Sequence, residues 1–263
     1  MMALITFCFL ALLLQTVHAQ SAQDELAQSL EAEGLPNVIQ KYEAALQHDP
    51  HNEAARTILK RLIAGNYGLA REESLRLRQV VRQYTHLSTE VLVTPEEPGE
   101  PLILSGTVHN AEDRPIVGAL IYVFHADTKG YYTPVAAMDE PNARLFGYMK
   151  TDSAGRYEFR TIRPGGYPQA PIPQHIHMLV TAPGYRDHKC QSTCQLVFED
   201  DPRMAQLGER VVLALFFLPC AFCCSIRRVR RAFVATHTHA RRIDERDRIT
   251  VVVVLMLLNV LLA

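Results

Sequence analysis

No charge of either sign dominates this sequence: 27 Lys and Arg stand against 28 Asp and Glu in 263 residues. That balance excludes the global basic field on which non-specific nucleic-acid binding depends. Apolar runs long enough to cross a bilayer are also missing. The two C-terminal ones, residues 211–226 and 249–263, each fall short of the roughly 20 residues a spanning helix needs. Cysteine is too sparse in the globular part for a structural zinc site, because Cys190 and Cys194 have no second pair to join them. In an oxidising compartment those two could bridge instead. Lys and Arg are absent from Met1 to Thr16, so this apolar run lacks the positive leader of an export signal. It nevertheless ends at Val17-His18-Ala19, small residues flanking a bulkier one, as signal peptidase prefers. Residues 1–19 therefore read as a signal peptide, and the protein as exported to a periplasmic or extracellular space.

What is present divides by period. Over residues 20–93 apolar side chains recur at three- and four-residue steps, first as Val38, Tyr42, Ala45 and Leu46, then as Ala55, Leu59, Leu62 and Ile63. Asp49-Pro50-His51-Asn52 stops one helix and starts the next. The stretch YEAALQHDPHNEAARTILKRL resembles half of a tetratricopeptide unit and its successor. A solenoid needs about three such repeats, and one is found, which favours a helical hairpin used for packing or self-association. Residues 94–101, with Thr94-Pro95-Glu96-Glu97-Pro98-Gly99, have the composition of a linker.

Beyond the linker the period becomes two. Leu102 to Val108, Val117 to His125, Tyr157 to Arg160, His175 to Thr181 and Gln195 to Phe198 read as strands. Turns at Asp113-Arg114-Pro115, Thr151 to Ala154 and Pro183-Gly184 separate them. The fold class expected is mainly β, an antiparallel β-sandwich over residues 102–205 with an N-terminal helical segment. Residues 206–263 admit three readings. They form a membrane hairpin around a basic loop that includes Arg227, Arg228, Arg230, Arg231, Arg241 and Arg242; or Ile249 to Leu255 is a last strand; or the tail is foreign to the domain.

His175-Ile176-His177 carries the first chemical signal. Residues two apart on a strand share a face, so both imidazoles project together while Ile176 points to the core. Such a pair suggests a metal without naming it. Upstream, Arg163-Pro164-Gly165-Gly166-Tyr167-Pro168 is a constrained loop. Its prolines aim the Tyr167 ring, and its glycines let backbone approach closely. Asp127 to Tyr132 ends a strand on a further turn; taken singly, either tyrosine is more simply a packed core residue.

The ordered blocks LSGTVHNAEDRPIVGALIYVFHAD, GYY, TDSAGRYEFRTIRPGGYP, HIHMLVTAPGY and QLVFEDDP resemble the intradiol ring-cleavage dioxygenases, the family of the catechol and protocatechuate dioxygenases. The resemblance covers about Leu102 to Pro202. It implies an Fe(III) ion held by Tyr132, Tyr167, His175 and His177, with Tyr131 the less fitting neighbour of Tyr132. Phenolate is a hard anionic donor suited to a hard ferric ion, whose charge must drive ionisation of a phenol with an ordinary pKa near 10. It further implies a catechol-like substrate bound through both oxygens, Tyr167 as the ligand displaced and the acceptor of a substrate proton, O2 as co-substrate, and ring opening between the two hydroxyl-bearing carbons. Gln195 matches a position near the family's site.

Two departures accompany the resemblance. Many family members carry an Arg shortly before the first histidine, but Gln169 to Gln174 holds none, which leaves Arg163 and Arg186 as substitutes. The family's closing strands are not recognisable after FEDDP. Rival expectations are a transthyretin-like sandwich that binds without catalysis, which has no use for Tyr167 together with His-x-His, and a degenerate family member that binds metal or substrate without turnover.

Overall fold

The computed structural model describes residues 26–110, 114–135, 137–183, 191–198, 200–203, 222–231 and 251–254. They fall into two compact units, one of residues 1–84 with 94–97 and one of residues 85–93 with 98–263. Residues 1–19, Arg186 and Cys190 lie outside the described residues, as does the side chain of Cys194.

The first unit is helical: α1 (residues 26–33), α2 (Leu35–His48), α3 (Glu53–Ala64) and α4 (Arg71–Gln83). The expected break at residues 49–52 is present, and Asn52 caps α3 by accepting the Ala55 N–H at 2.9 Å. Val38, Tyr42 and Leu46 of α2 and Leu59, Leu62 and Ile63 of α3 are buried, the pattern their spacing predicts. The region is more than a hairpin, since α4 follows. The helical stretch also stops at Gln83, short of residue 93, because Thr89-Glu90-Val91 pairs as a strand of the second unit.

The second unit is mainly β. Its strands are β1 (Thr89–Val91), β2 (Pro101–Asn110), β3 (Leu120–His125), β4 (Leu145–Lys150), β5 (Arg156–Ile162), β6 (His175–Thr181), β7 (Gln191–Phe198), β8 (Phe222–Arg231) and β9 (Val251–Val254). They form two sheets, ordered β1-β5-β2-β8 and β4-β3-β6-β7-β9. All pairings are antiparallel except β1 with β5. Leu102, Leu104, Val108, Tyr157 and Phe159 of the first sheet pack with Ile121, Val123, Ile176, Met178, Val180 and Leu196 of the second in one buried cluster. The inward residues alternate along β3 and β6, as a sandwich requires. The turn after β4 is held by Asp152, whose Oδ1 accepts the N–H groups of Ala154 and Arg156, and Gly155 adopts φ +71° there.

Residues 206–263 correct one expectation. Closing strands do exist: β8 pairs with β2 and β9 with β7, so the tail contributes to both sheets. The basic run that suggested a cytosolic loop lies partly within β8, at the edge of its sheet. Among the described residues, no helix is long and apolar enough to cross a membrane.

Candidate metal centre

The centre lies on the outer face of the β4-β3-β6-β7-β9 sheet. Along β6, Ile176, Met178 and Val180 turn inward, so His175 and His177 share the opposite face. Phe124, the cross-strand partner of His177, stacks flat on its ring with centroids 4.5 Å apart and planes 4° from parallel. His175 Nδ1–H donates to the Pro173 carbonyl at 2.8 Å. That bond fixes the tautomer and leaves the Nε2 lone pair directed at the centre.

The tyrosines arrive on two loops that touch. Asp127 takes the N–H groups of Lys129 and Tyr131 on Oδ1 and shapes the turn before Tyr132. Tyr132 is then anchored by its backbone, its N–H donating to Ala137 O at 3.1 Å and its carbonyl accepting Arg144 N–H at 2.8 Å. Gly165 N–H donates to Asp127 O at 2.8 Å, and a β-carbon on Gly165 would lie 2.2 Å from Thr128 O. The close approach expected of Pro-Gly-Gly-Tyr is thus an approach to the other tyrosine's turn.

Four donor atoms converge. Tyr132 Oη is 2.9 Å from His177 Nε2, Tyr167 Oη is 3.0 Å from His175 Nε2 and 3.5 Å from His177 Nε2, and the two Nε2 atoms are 3.1 Å apart. The two hydroxyls also contact each other. Tyr132 is fully buried and Tyr167 half-buried. Burial is the first cause of every shift here. It raises the Tyr132 phenol far above its ordinary value and pushes Tyr167 up to about 12, in the latter case against the hydrogen bond from Tyr132 and with the Glu140 carboxylate adding to the rise. It lowers His175, opposed by the Pro173 carbonyl, and takes His177 down to about 3, helped by His175 and His125.

At neutral pH burial therefore favours the neutral form of all four groups. His175 Nε2 carries no proton, so the five contacts share at most three, those of the two phenols and of His177 Nε2. At least two contacts set lone pair against lone pair, an arrangement that a cation relieves. Donors about 2 Å from one ion lie roughly 3 Å apart, which is the separation seen. Among the described residues no three His, Cys, Asp or Glu side chains gather to hold an ion; two phenols and two imidazoles do. Hard phenol oxygens with imidazole fit a ferric ion.

The family model described as Dioxygenase matches residues 83–241, more than half of the chain. The chain belongs to the intradiol ring-cleavage dioxygenase family. It is similar to catechol 1,2-dioxygenase 1 of Acinetobacter lwoffii, 32% identical over 133 residues covering 43% of this chain and 41% of that protein. It also resembles the protocatechuate 3,4-dioxygenase beta chain of Burkholderia cepacia, 32% identical over 130 residues, 46% of this chain and 54% of that one. The chain thus spans about two fifths to one half of the length of these curated relatives. Among solved structures it resembles the dioxygenase domain of a dioxygenase–carbohydrate-binding protein fusion from Streptomyces sp. SirexAA-E, at 34% identity, 46% of this chain, 71% of that chain and a TM-score of 0.38. Another is the mercury-inhibited catechol 1,2-dioxygenase of Acinetobacter sp. ADP1, at 29% identity, 46% of this chain, 44% of that chain and a TM-score of 0.39.

Within this intradiol dioxygenase chain, Gln195 stands opposite His177 in the β6–β7 register, and so on the same sheet face. Tyr131 is held instead at the turn, its backbone N–H donating to Asp127 Oδ1 at 3.1 Å. Arg163 is committed elsewhere: its Nη atoms pair with Asp200 and its Nε with Gln174. Sequence reasoning missed His125, which is fully buried on the inward face of β3 and bonded through Nδ1 to Ala126 O and through Nε2 to Thr161 Oγ1 on the other sheet. Its position in the β3 alternation, in phase with Ile121 and Val123, was the available signal.

Proposed function

We propose that this chain is a non-haem Fe(III) dioxygenase that opens a catechol-like ring between its two hydroxyl-bearing carbons with O2. The observation carrying this reading is the convergence of Tyr132 Oη, Tyr167 Oη, His175 Nε2 and His177 Nε2 within one cluster. Those four side chains would hold the ion. Bound there, ferric iron supplies Lewis-acid activation of an ionised catechol and a template for its meeting with O2.

The protein's own contribution differs between the two tyrosines. Tyr132 is fully buried and bonded on both sides of its peptide unit, so it suits a fixed ligand. Tyr167 sits half-buried on a loop, so it suits the ligand that yields its place and takes a proton from a substrate hydroxyl on Oη. Phe124 and the Pro173 carbonyl hold the two imidazole rings in orientation, and Gln195 flanks His177. A second reading, metal binding without turnover, is favoured by one observation: the loop before His175 has no Arg, and Arg163 is engaged by Asp200 and Gln174. Export directed by residues 1–19 is part of the proposal and is tested by fractionation and N-terminal sequencing of the mature protein.

Loading the protein with ferric iron should colour it through tyrosinate-to-iron charge transfer, and Tyr132→Phe and Tyr167→Phe should each change the band. Oxygen uptake is then measured with catechol, a carboxylated catechol and a trihydroxybenzene. Colourless protein that retains no iron would sink the proposal. Colour without uptake on any of the three would select metal binding without turnover.

A further inference from the structure

The FEDDPR stretch that closes β7 supplies none of the four donors, yet four of its side chains meet the loop carrying Tyr167. Asp200 takes both terminal nitrogens of Arg163, at 2.6 and 2.8 Å, and the Arg163 guanidinium lies 4.6 Å from the centroid of the Phe198 ring. Arg163 Nε donates to Gln174 Oε1 at 2.8 Å. Asp201 is buried and uses both oxygens: one accepts Gln174 N–H at 2.7 Å, the other Arg203 N–H at 2.8 Å. Arg203 then folds over the loop. Its Nη1 donates to Ile172 O at 3.1 Å, and its guanidinium rests so close on Gly166 that a β-carbon there would overlap it.

The loop between Arg163 and His175 is therefore fastened at its start, at the glycine before Tyr167, at residue 172 and at the residue before His175. These four fastenings come from the turn of residues 200–203, in addition to the Gly165 N–H bond to Asp127 O. An exposed ion pair alone would contribute little, but a buried carboxylate that accepts two backbone N–H groups fixes the path of the chain. Gln174 is the residue from which His175 enters β6, and Gly166 is the one from which Tyr167 projects. We infer that residues 200–203 form a clasp that positions Tyr167 and His175 at the four-donor centre, with Asp201 as its central positioning residue and Arg203 as its arm onto the tyrosine loop.

The metal readout of this inference rests on the proposed ferric site, so the test has a metal arm and a metal-free arm. Asp201→Asn keeps the size of the side chain but offers one oxygen where two N–H groups need separate acceptors. In iron-loaded full-length protein it should weaken iron retention against a chelator by about 10- to 100-fold and shift the charge-transfer band, with a melting temperature lower by a few degrees for the one N–H left unpaired. Arg203→Ala leaves the buried Asp201 bonds in place and should shift the band in the same direction, which keeps the test available if Asp201→Asn folds poorly. In metal-free protein, hydrogen exchange of the 163–175 segment should accelerate in Asp201→Asn while β3 and β6 amides keep their protection. An unchanged band and iron retention in both variants overturns the clasp, whatever happens to the melting temperature. If the wild type holds no iron, the dioxygenase proposal fails, and the clasp stands or falls on exchange alone: acceleration confined to 163–175 supports it, and uniform or absent acceleration overturns it.

Discussion

Replacing Gly165 by alanine adds one carbon where the turn before Tyr132 meets the loop of Tyr167. That carbon would sit 2.2 Å from Thr128 O, 2.6 Å from Thr128 C and 2.9 Å from Gly130 N. All three are backbone atoms, so no rotamer change relieves the overlap. Ordinary contact begins at 3.4 Å, and the two loops must part by about 1 Å. The Gly165 N–H to Asp127 O bond, 2.8 Å long, breaks in that movement, at about 1 kcal/mol for the bond and roughly 1–3 kcal/mol for the overpacking. The tyrosine hydroxyls separate with the loops, and a displacement near 1 Å costs on the order of 100-fold in turnover. Urea unfolding, iron colour and oxygen uptake read the three consequences. Gly118→Ala serves as the comparison: its nearest neighbour would be Pro183 Cγ at 3.8 Å, but its φ is +69°. It should lose about 1 kcal/mol through backbone strain with the colour unchanged. A Gly165→Ala protein with wild-type stability and an unaltered band would show that the two loops do not set the tyrosine pair.

Two further outcomes follow from burial and from ligand linkage. Burial, with Arg144 and His175 adding to it and Asp127 and the Ala126 carbonyl opposing, lowers His125 from 6.5 to about 4. Between those values the unfolded chain binds a proton that the folded chain refuses. Stability from this residue is therefore complete above pH 6.5 and falls as pH drops towards 4, by about 3 kcal/mol. His125→Gln should be less stable at pH 7, having lost the Thr161 bond, yet flatter across that window; parallel wild-type and variant curves in urea titrations at stepped pH would refute the assignment. Stripping ferric iron with a chelator should lower the melting temperature of the β unit, since a ligand at 1,000 times its Kd stabilises by about 4 kcal/mol. Calorimetry before and after chelation checks this, and an unchanged transition would count against a folded-state iron site.

Much of the β unit was legible because periodicity reports local burial. His175, Ile176 and His177 alternate as a half-buried strand should, and the turn at Asp152 announces itself through Gly155. What escaped was non-local or ambiguous in period. Leu145 to Tyr148 is apolar at nearly every position, and β4 is buried along its length; such a run has no two-residue signature. β1 has three residues and gains its identity only by pairing with Arg160 and its neighbours. The arginines of 227–231 read as a loop by their charge, and their strand shows only in the pairing of β8 with β2. In the centre itself, the strand period put His175 and His177 on one face, whereas Tyr132 and Tyr167 were indicated only by the family resemblance. The engagement of Arg163 by Asp200, 37 residues away, did not show in the sequence.

The two supports of the tyrosine loop act on different sides of it. Gly165 and Gly130 bring the loop against the Tyr132 turn by removing side chains, whereas Asp201 and Arg203 hold it from the β7 end by adding polar bonds. Loss of either support leaves the other, so Gly165→Ala and Asp201→Asn should each displace Tyr167 without unfolding the sheets, and because both shift one loop their effects should couple rather than add. His177 depends on neither. It is held by its strand register and the Phe124 ring. The centre therefore divides into a half built on the sheet and a half built on a loop, and the half-buried Tyr167 that the proposed reaction must release lies in the second.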